Sequence, residues 1–191
     1  MTSPDVEVHS AADVAGEPAA TVRPTNASCE SIEDVSGSQV LGRIRLLRAA
    51  ALLGAAHAAY DLTKAYVSTR EQFGAPLLKI PAVGANLAVM QTELIQADAG
   101  LRRALVTGDN LDAASAQVAR LMAGRCADRV ATLAHQLHGA MGVTEEYPLH
   151  RLTRRIWAWL DADLPDRYEA ISPGTQAVSG GEANFWEVLT G

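Results

Sequence analysis

The chain has 191 residues, of which 48% are apolar, and its formal net charge is −6 at pH 7. Residues 1–40 hold seven acidic residues and one basic residue, so they account for the whole net charge and the remainder is neutral. A neutral body excludes a basic surface for nucleic acid. No apolar run reaches the length of about 18 residues that suggests a membrane span, and no secretion signal opens the sequence. Cys29 and Cys126 have neither disulfide nor metal spacing, which favours a reduced, cytoplasmic setting.

The first predicted segment is an acidic N-terminal extension, residues 1–38. It is rich in Ser, Thr, Pro, Asp, Glu and Ala, a composition typical of a flexible tail. Two short runs, residues 6–8 and 20–22, contain strand-forming residues, although turn-forming residues surround both. Two interpretations stay open here, a flexible tail and a pair of short strands.

Four helices are predicted next, over residues 39–160. In the first, apolar residues recur at spacings of three, four and seven, which places them on one helix face: Leu46, Ala50, Leu53, Ala56, Tyr60 and Val67. The second begins after Pro81, a residue suited to an early helical position. Its predicted buried face consists of Val83, Leu87, Met90, Leu94, Ala97, Leu101 and Leu105. The predicted helices span about residues 38–68, 81–106, 112–138 and 148–160. Short connections join them, so the predicted fold class is all-α, an up-down-up-down four-helix bundle with irregular extensions at both ends.

The C-terminal extension, residues 161–191, is predicted to be irregular because turn-forming residues recur along it. Phe185 and Trp186 are its apolar anchors, on the bundle or on a partner. Within the fourth helix, Trp157 and Trp159 lie two positions apart and so on different faces. We expect both to serve packing or an interface.

The turn after the first helix is the first candidate site. Phe73-Gly74-Ala75-Pro76 stops the helix, because Gly accepts left-handed dihedral angles and Pro cannot donate the next helical hydrogen bond. Arg70 and Gln72 stand at the mouth of this turn, beside the Phe73 ring. They offer a fixed cation and an amide to a planar or anionic ligand. The alternative is that Arg70 only caps carbonyls at the helix end.

The second candidate site follows the third helix. Gly139-Ala140-Met141-Gly142 leaves backbone amides free and carries little side-chain bulk, with Gln136 one turn earlier. Such a turn can lie close to a pyrophosphate, and it can equally be a simple helix C-cap. His138 sits beside the turn, where the helix dipole favours a capping role over acid–base chemistry.

The two turns together resemble the two signatures of the C-terminal helical domain of acyl-CoA dehydrogenases. The resemblance covers about residues 41–159. The matching motifs are Tyr66-x-x-x-Arg70-x-Gln72-Phe73-Gly74-x-Pro76-Leu77 and Gln136-Leu137-His138-Gly139-Ala140-Met141-Gly142-Val143-Thr144-Glu145-Glu146-Tyr147-Pro148. The motifs also occur in the order, and at roughly the separation, that the family shows.

The resemblance implies FAD as the cofactor and names its contacts. In the family, positions matching Arg70, Gln72 and Phe73 contact the adenine-dinucleotide end of FAD across a subunit boundary. Positions that hold the same dinucleotide match Gln136, Gly139 and Ala140. The sequence departs from the pattern twice, since Ala140 replaces a usual Gly and Pro81 stands where a helix-starting Gln is common.

The resemblance also implies a reaction and a catalytic base. Family members remove an α-proton from an acyl thioester while a β-hydride passes to the flavin, and a carboxylate accepts the proton. The usual register places this carboxylate at Asp163. A second family location falls at Ile44, which cannot accept a proton. The base is therefore Asp163, a residue of a partner, or absent.

Complete family members carry an N-terminal helical domain and a middle β-domain, for which this sequence has no room. Residues 1–38 are then a flexible tail or a remnant of that β-domain. We expect a homo- or hetero-oligomer, with a longer acyl-CoA dehydrogenase-like chain as the partner. Three functions follow as hypotheses: a subunit of a heteromeric FAD-dependent dehydrogenase acting on an acyl thioester, a non-catalytic scaffold, and a repurposed cyclase or isomerase that uses the helical cleft without redox chemistry.

Overall fold

A computed structural model describes residues 5–28, 30, 32–106, 113–162, 170–171, 173–175, 178–183 and 186. Helices dominate, as the fold-class prediction states. Their bounds lie within two residues of the predicted ones, except that the predicted start of the third helix, residue 112, lies outside the described residues. The four helices are α1 (Gly37–Thr69), α2 (Pro81–Val106), α3 (Ala113–His138) and α4 (Leu149–Asp161). Four strands accompany them, β1 (Val6–Ala12), β2 (Pro18–Pro24), β3 (Glu71–Gln72) and β4 (Ala75–Pro76).

The helices run up, down, up and down. Near the C-terminal ends of α1 and α3, the rings of Tyr66 and His138 stack with centroids 4.4 Å apart, so these two helices are parallel. The fourth helix runs against the third, because successive α4 residues contact progressively earlier α3 residues. His135 Nε2 lies 2.8 Å from Thr153 Oγ1, and Trp157 Nε1 donates to Asp128 Oδ1 at 3.3 Å. This is the predicted bundle topology.

The core lies between α1, α2 and α3. Most predicted positions on α2 are buried, but Leu105, which we expected inside, is 57% exposed. On α1 the buried face includes Ala49 and Leu52, whereas the predicted Ala50 is exposed. Buried small residues along α3 allow close helix approach: Ala116, Ala119, Ala123, Ala127, Ala131 and Ala134. The third helix is thus the centre of the bundle.

The start of the chain forms an ordered hairpin rather than an irregular extension. Strands β1 and β2 pair antiparallel, from Val6 opposite Pro24 to Ala12 opposite Pro18. Asp13 Oδ1 accepts the backbone N–H groups of Ala15 at 2.8 Å and Glu17 at 2.9 Å. These bonds close the turn and fix the hairpin register.

The hairpin turn is anchored on α4. Arg154 Nε donates to the Val14 carbonyl at 2.6 Å. Glu17 accepts a hydrogen bond from Trp159 Nε1 at 2.9 Å, and its other carboxylate oxygen pairs with Arg155 Nε at 3.0 Å. Trp159 therefore faces the hairpin while Trp157 stacks on His135, with ring centroids 5.6 Å apart. The two tryptophans lie on different faces, as their spacing predicts.

The end of the chain holds helical turns where an irregular extension was expected. The described residues 170–171, 173–175, 178–183 and 186 all have helical backbone. Two local bonds support it: Ser179 Oγ donates to the Thr175 carbonyl at 2.8 Å, and Trp186 Nε1 donates to Glu182 Oε1 at 3.2 Å. Asp163 and Phe185 lie outside the described residues. Among the described residues, no helix is long and apolar enough to cross a membrane.

Candidate dinucleotide cavity

The two candidate turns meet at one end of the bundle, beside the ends of α1 and α3. They border an open cavity of about 440 Å³, a size typical of ligand pockets. We call it the α1–α3 cavity. The six residues predicted to hold a dinucleotide all line it: Arg70, Gln72, Phe73, Gln136, Gly139 and Ala140. Pro81, the second departure from the family pattern, is not among its lining residues.

The first turn is a tight hairpin that presents Phe73 to solvent. Gln72 pairs with Ala75, and the two residues between them have positive φ angles, 57° at Phe73 and 82° at Gly74. Two-residue hairpin loops favour this geometry, but a left-handed conformation costs a non-glycine residue about 1–2 kcal/mol. The side chain that bears this cost is 92% exposed. The local strain therefore holds an aromatic ring at the cavity rim.

Arg70 contributes its backbone to the fold and its side chain to the cavity. Its N–H closes α1 on the Tyr66 carbonyl at 2.8 Å, and its carbonyl accepts from the Leu77 N–H at 2.8 Å. No described residue pairs with its guanidinium group. Capping is thus done by the backbone rather than by the charged group. A cation with free donors remains at the cavity mouth.

The second turn is both a helix C-cap and a cavity wall. A 3-10 helix, Gly139–Val143, follows α3, and Gly139 begins it with a φ of 58°. Left-handed glycine at this position is the usual helix stop. No atom lies within 4 Å of where a Gly139 Cβ would stand, so the wall is open on the cavity side. The helix C-cap interpretation is confirmed, and the pyrophosphate interpretation stays a prediction.

The rings of Tyr66 and His138 form the floor of the cavity, and Tyr147 packs against both of them outside its lining. The His138 ring, 4% exposed, stacks on Tyr66 and packs against Tyr147, with its centroid 4.8 Å from the Tyr147 ring. Its Nδ1 donates to the Ala134 carbonyl at 2.8 Å, which is the predicted capping role. Its Nε2 is buried without a hydrogen-bond partner among the described residues. Burial lowers the pKa of the imidazole below its ordinary value, so the ring is neutral near pH 7.

Tyr147, which packs against this floor, is a residue whose role the sequence did not identify. Its hydroxyl donates to the Leu62 carbonyl at 3.4 Å, which ties the second turn to α1. Burial, then the nearby Tyr66, raises the pKa of the phenol. The residue belongs to the second motif, but nothing in its spacing indicated the contact with His138. The rigid floor positions Gly139 against the first turn.

Chemically, the α1–α3 cavity suits an anionic ligand that also carries a planar ring. Arg70 supplies charge, Gln72 and Gln136 supply amides, and Phe73 supplies an aromatic face. Ala140 adds one methyl group at the wall and keeps the side chain small. These groups fit the adenine-dinucleotide portion of FAD. Within the described residues, no group of three His, Cys, Asp or Glu side chains could hold a metal ion.

Comparison with known proteins decides the family. Residues 35–158 match the model of the acyl-CoA dehydrogenase C-terminal domain. This chain belongs to the acyl-CoA dehydrogenase family. It is 34% identical over 145 residues to the short-chain specific acyl-CoA dehydrogenase of Bos taurus mitochondria, covering 75% of this chain and 34% of that one. It is 36% identical over 112 residues to the 3-sulfinopropanoyl-CoA desulfinase of Paraburkholderia xenovorans, covering 58% and 29%. The chain thus spans about a third of the length of these relatives.

Two solved structures share the fold beyond the matched domain. A variant of the Tcur3481-Tcur3483 steroid ACAD superposes with a TM-score of 0.87 at 24% identity, covering 93% of this chain and 50% of that one. The ChsE4-ChsE5 complex from Mycobacterium tuberculosis superposes with a TM-score of 0.82 at 25% identity, covering 92% and 50%. Both matches cover more of the chain than residues 35–158, so they include part of its extensions.

Neither of the two family locations for the catalytic base yields a carboxylate among the described residues. Ile44, at one of the two family locations, is 47% exposed on α1 and borders a small groove with Leu47, Arg48 and Ala51. No carboxylate is among the described lining residues of that groove. The other location, Asp163, is one of the residues that the structure does not describe.

Proposed function

We propose that this chain is a subunit of an FAD-dependent acyl-CoA dehydrogenase assembly. In that assembly, the α1–α3 cavity completes the dinucleotide site of a longer acyl-CoA dehydrogenase-like chain. The supporting observation is that six residues from two motifs about 65 positions apart line one cavity. Neither motif alone determines that the two turns lie side by side. When bound, FAD supplies the hydride acceptor for α,β-dehydrogenation of an acyl thioester.

Each cavity residue has a distinct role in this proposal. Arg70 neutralises the dinucleotide pyrophosphate, and the amides of Gln72 and Gln136 orient it. The exposed Phe73 ring packs on the adenine. The opening beside Gly139 lets backbone approach the phosphates.

The partner supplies what these residues do not. The relatives are about twice as long as this chain, and two similar structures are pairs of differently named chains, Tcur3481-Tcur3483 and ChsE4-ChsE5. This chain also exposes apolar side chains along α1 that water does not favour: Val40, Leu41, Ile44 and Leu47. We propose that the partner covers this surface and contributes the remaining walls of the flavin site.

The test is flavin content in the assembled complex. The chain is purified from its native host through a tag, and the partner's mass and the visible flavin spectrum are read together. Arg70→Ala and Gln136→Ala are compared with Arg102→Ala, an exposed arginine on α2 outside the α1–α3 cavity. The first two are expected to reduce bound FAD at least tenfold, since each removes an interaction with a charged group worth about 1.5–3 kcal/mol. A colourless complex, or full flavin content in Arg70→Ala, refutes the proposal.

A scaffold function is the second candidate, and Ile44 favours it. This chain places an apolar side chain at one of the two positions where relatives hold a base. A scaffold predicts that Asp163→Asn and Arg70→Ala both leave the activity of the complex unchanged. The dehydrogenase proposal predicts loss of activity in Arg70→Ala, whichever chain provides the base.

A further inference from the structure

A second cavity lies between the β1–β2 turn and α4. Its volume is about 370 Å³, and its lining residues are Ala15, Arg151, Arg154 and Arg155. We call it the α4 arginine cavity. Among the described residues, none lines both this cavity and the α1–α3 cavity. We propose that it binds a phosphoryl anion, of which inorganic pyrophosphate and the diphosphate of a nucleotide are two sources.

Helical spacing gathers the three arginines. Arg151 precedes Arg154 by three residues and Arg155 by four, so all three lie along one side of α4. The opposite side of the helix is buried through Leu149 and Ile156. The three guanidinium groups therefore line one wall of the cavity, and Ala15 of the hairpin turn lines the facing wall. Like charges at these spacings destabilise a helix, so the arrangement favours a compensating anion.

The described residues compensate only one of the three charges. Glu17 pairs with Arg155 Nε at 3.0 Å. Arg154 Nε bonds a neutral carbonyl, that of Val14, and no described residue pairs with the guanidinium group of Arg151. Within the described part of the chain, two positive charges thus stay uncompensated, although the net charge of the whole chain is −6. A local field of this sign attracts anions.

Guanidinium geometry selects phosphoryl groups among anions. The Nη atoms of Arg154 are not used by the Val14 bond, and Arg151 offers its whole fork of donors. Two such forks can bind several phosphate oxygens at once, which a single lysine cannot do. The volume of about 370 Å³ exceeds one phosphate and accommodates a diphosphate.

The indole of Trp159, beside the cavity, can report binding through its fluorescence. Glu17 joins Arg155 on one side to the Trp159 indole on the other, at 3.0 and 2.9 Å. An anion that recruits Arg155 weakens the hold of Glu17 and changes the environment of the indole. We therefore expect the tryptophan emission to change on binding, and Trp159→Phe to remove that change while leaving binding heat intact.

The experiment is calorimetric titration of the full chain with inorganic pyrophosphate and, separately, with ADP, at fixed ionic strength. Arg151→Gln is the main variant, because its side chain has no described partner and the fold does not need it. Its Kd is expected to rise about tenfold, the effect of losing a hydrogen bond to a charged group. Arg102→Gln on α2 is the control and is expected to bind pyrophosphate as the unmodified chain does. Arg70→Gln is titrated as well, because the α1–α3 cavity is itself proposed to bind a dinucleotide, and the effect of Arg151→Gln should persist in that background.

Every outcome of this titration bears on the proposal. Equal affinity for pyrophosphate and ADP supports a site for the diphosphate alone, and tighter ADP binding supports a nucleotide source. Absence of binding to the unmodified chain overturns the proposal, as does an Arg151→Gln Kd within about twofold of the original. Far-UV circular dichroism of each variant excludes unfolding as the cause. Loss of binding in Arg70→Gln with Arg151→Gln unaffected would assign the anion to the other cavity.

Discussion

Replacing Gly142 with alanine tests how tightly the second turn is held against the bundle. Gly142 is buried in the 3-10 helix that begins with two cavity residues, Gly139 and Ala140. A Cβ atom there would lie 3.0 Å from His135 Nδ1, 3.0 Å from His138 Cβ and 3.2 Å from Leu149 Cδ2. The His138 Cβ is fixed to the α3 backbone, so it cannot move aside alone.

The expected cost follows from overpacking. An inserted methyl group in a well-packed core costs about 1–3 kcal/mol, so we expect Gly142→Ala to lower the free energy of unfolding by about 2 kcal/mol. For a domain of 150–250 residues this lowers the Tm by about 4–8 °C. Urea unfolding followed by far-UV circular dichroism at pH 7.5 measures it.

Gly54→Ala is the matched control. It is the same chemical change in the middle of α1, at an exposed position where the new Cβ would have no neighbour within 4 Å. Removing a glycine from a helix interior stabilises it by about 0.5–1 kcal/mol. The two variants should therefore shift stability in opposite directions, by about 3 kcal/mol in total. Equal shifts, or a Gly142→Ala value within about 0.5 kcal/mol of zero, would contradict the packing described for the turn.

Three further predictions concern His138, Cys126 and Phe73. Burial lowers the pKa of folded His138, so as the pH falls the unfolded state takes up the proton before the folded state does. The contribution of His138 to the free energy of unfolding is therefore complete above about pH 6.5 and falls below it, by at most about 1.4 kcal/mol per pH unit. His138→Gln should flatten the dependence of urea unfolding on pH between pH 7.5 and 5.5. Burial, then Glu93 and Asp98, raises the pKa of Cys126 to about 12; in a Cys29→Ser variant, thiol reagents at pH 8 should label it only after unfolding. Phe73→Asn should raise the free energy of unfolding by about 0.5–1 kcal/mol, because asparagine accepts the left-handed turn, and a decrease would contradict the strain.

The helices were predictable because their signals are local. Pro81 begins α2, and Gly139 follows the end of α3 with a positive φ angle. The end of α1 differs from the prediction, because the helix ends at Thr69 with Arg70 extended, and Gly74 belongs to the hairpin loop that follows. The topology followed from short connections. The fine placement of the buried faces did not follow, since Ala49 rather than Ala50 points inward on α1. That choice depends on where α3 packs, which no local spacing encodes.

The β1–β2 hairpin was not predicted with the same success, because contacts distant in sequence hold it in place. Its turn chemistry was present in the sequence, since Asp13 binds two backbone N–H groups and Gly16 has a φ of 80°. Almost all its strand residues are exposed, so composition alone favoured a flexible tail. The bonds that hold the turn, from Arg154 to Val14 and from Trp159 to Glu17, join residues about 140 positions apart. Sequence spacing carries no information at that distance.

The sequence predicted which residues line the α1–α3 cavity, but not how differently its floor and its rim are packed. At the floor the rings of Tyr66 and His138 pack together and against Tyr147, and His138 is 4% exposed. At the rim the Phe73 ring is 92% exposed, on a residue whose positive φ angle is strained. A site that enclosed its ligand alone would bury that ring, and a turn with no ligand would replace it with asparagine or glycine. An aromatic ring kept exposed at a cost in stability therefore argues for a ligand covered from the far side by a second chain.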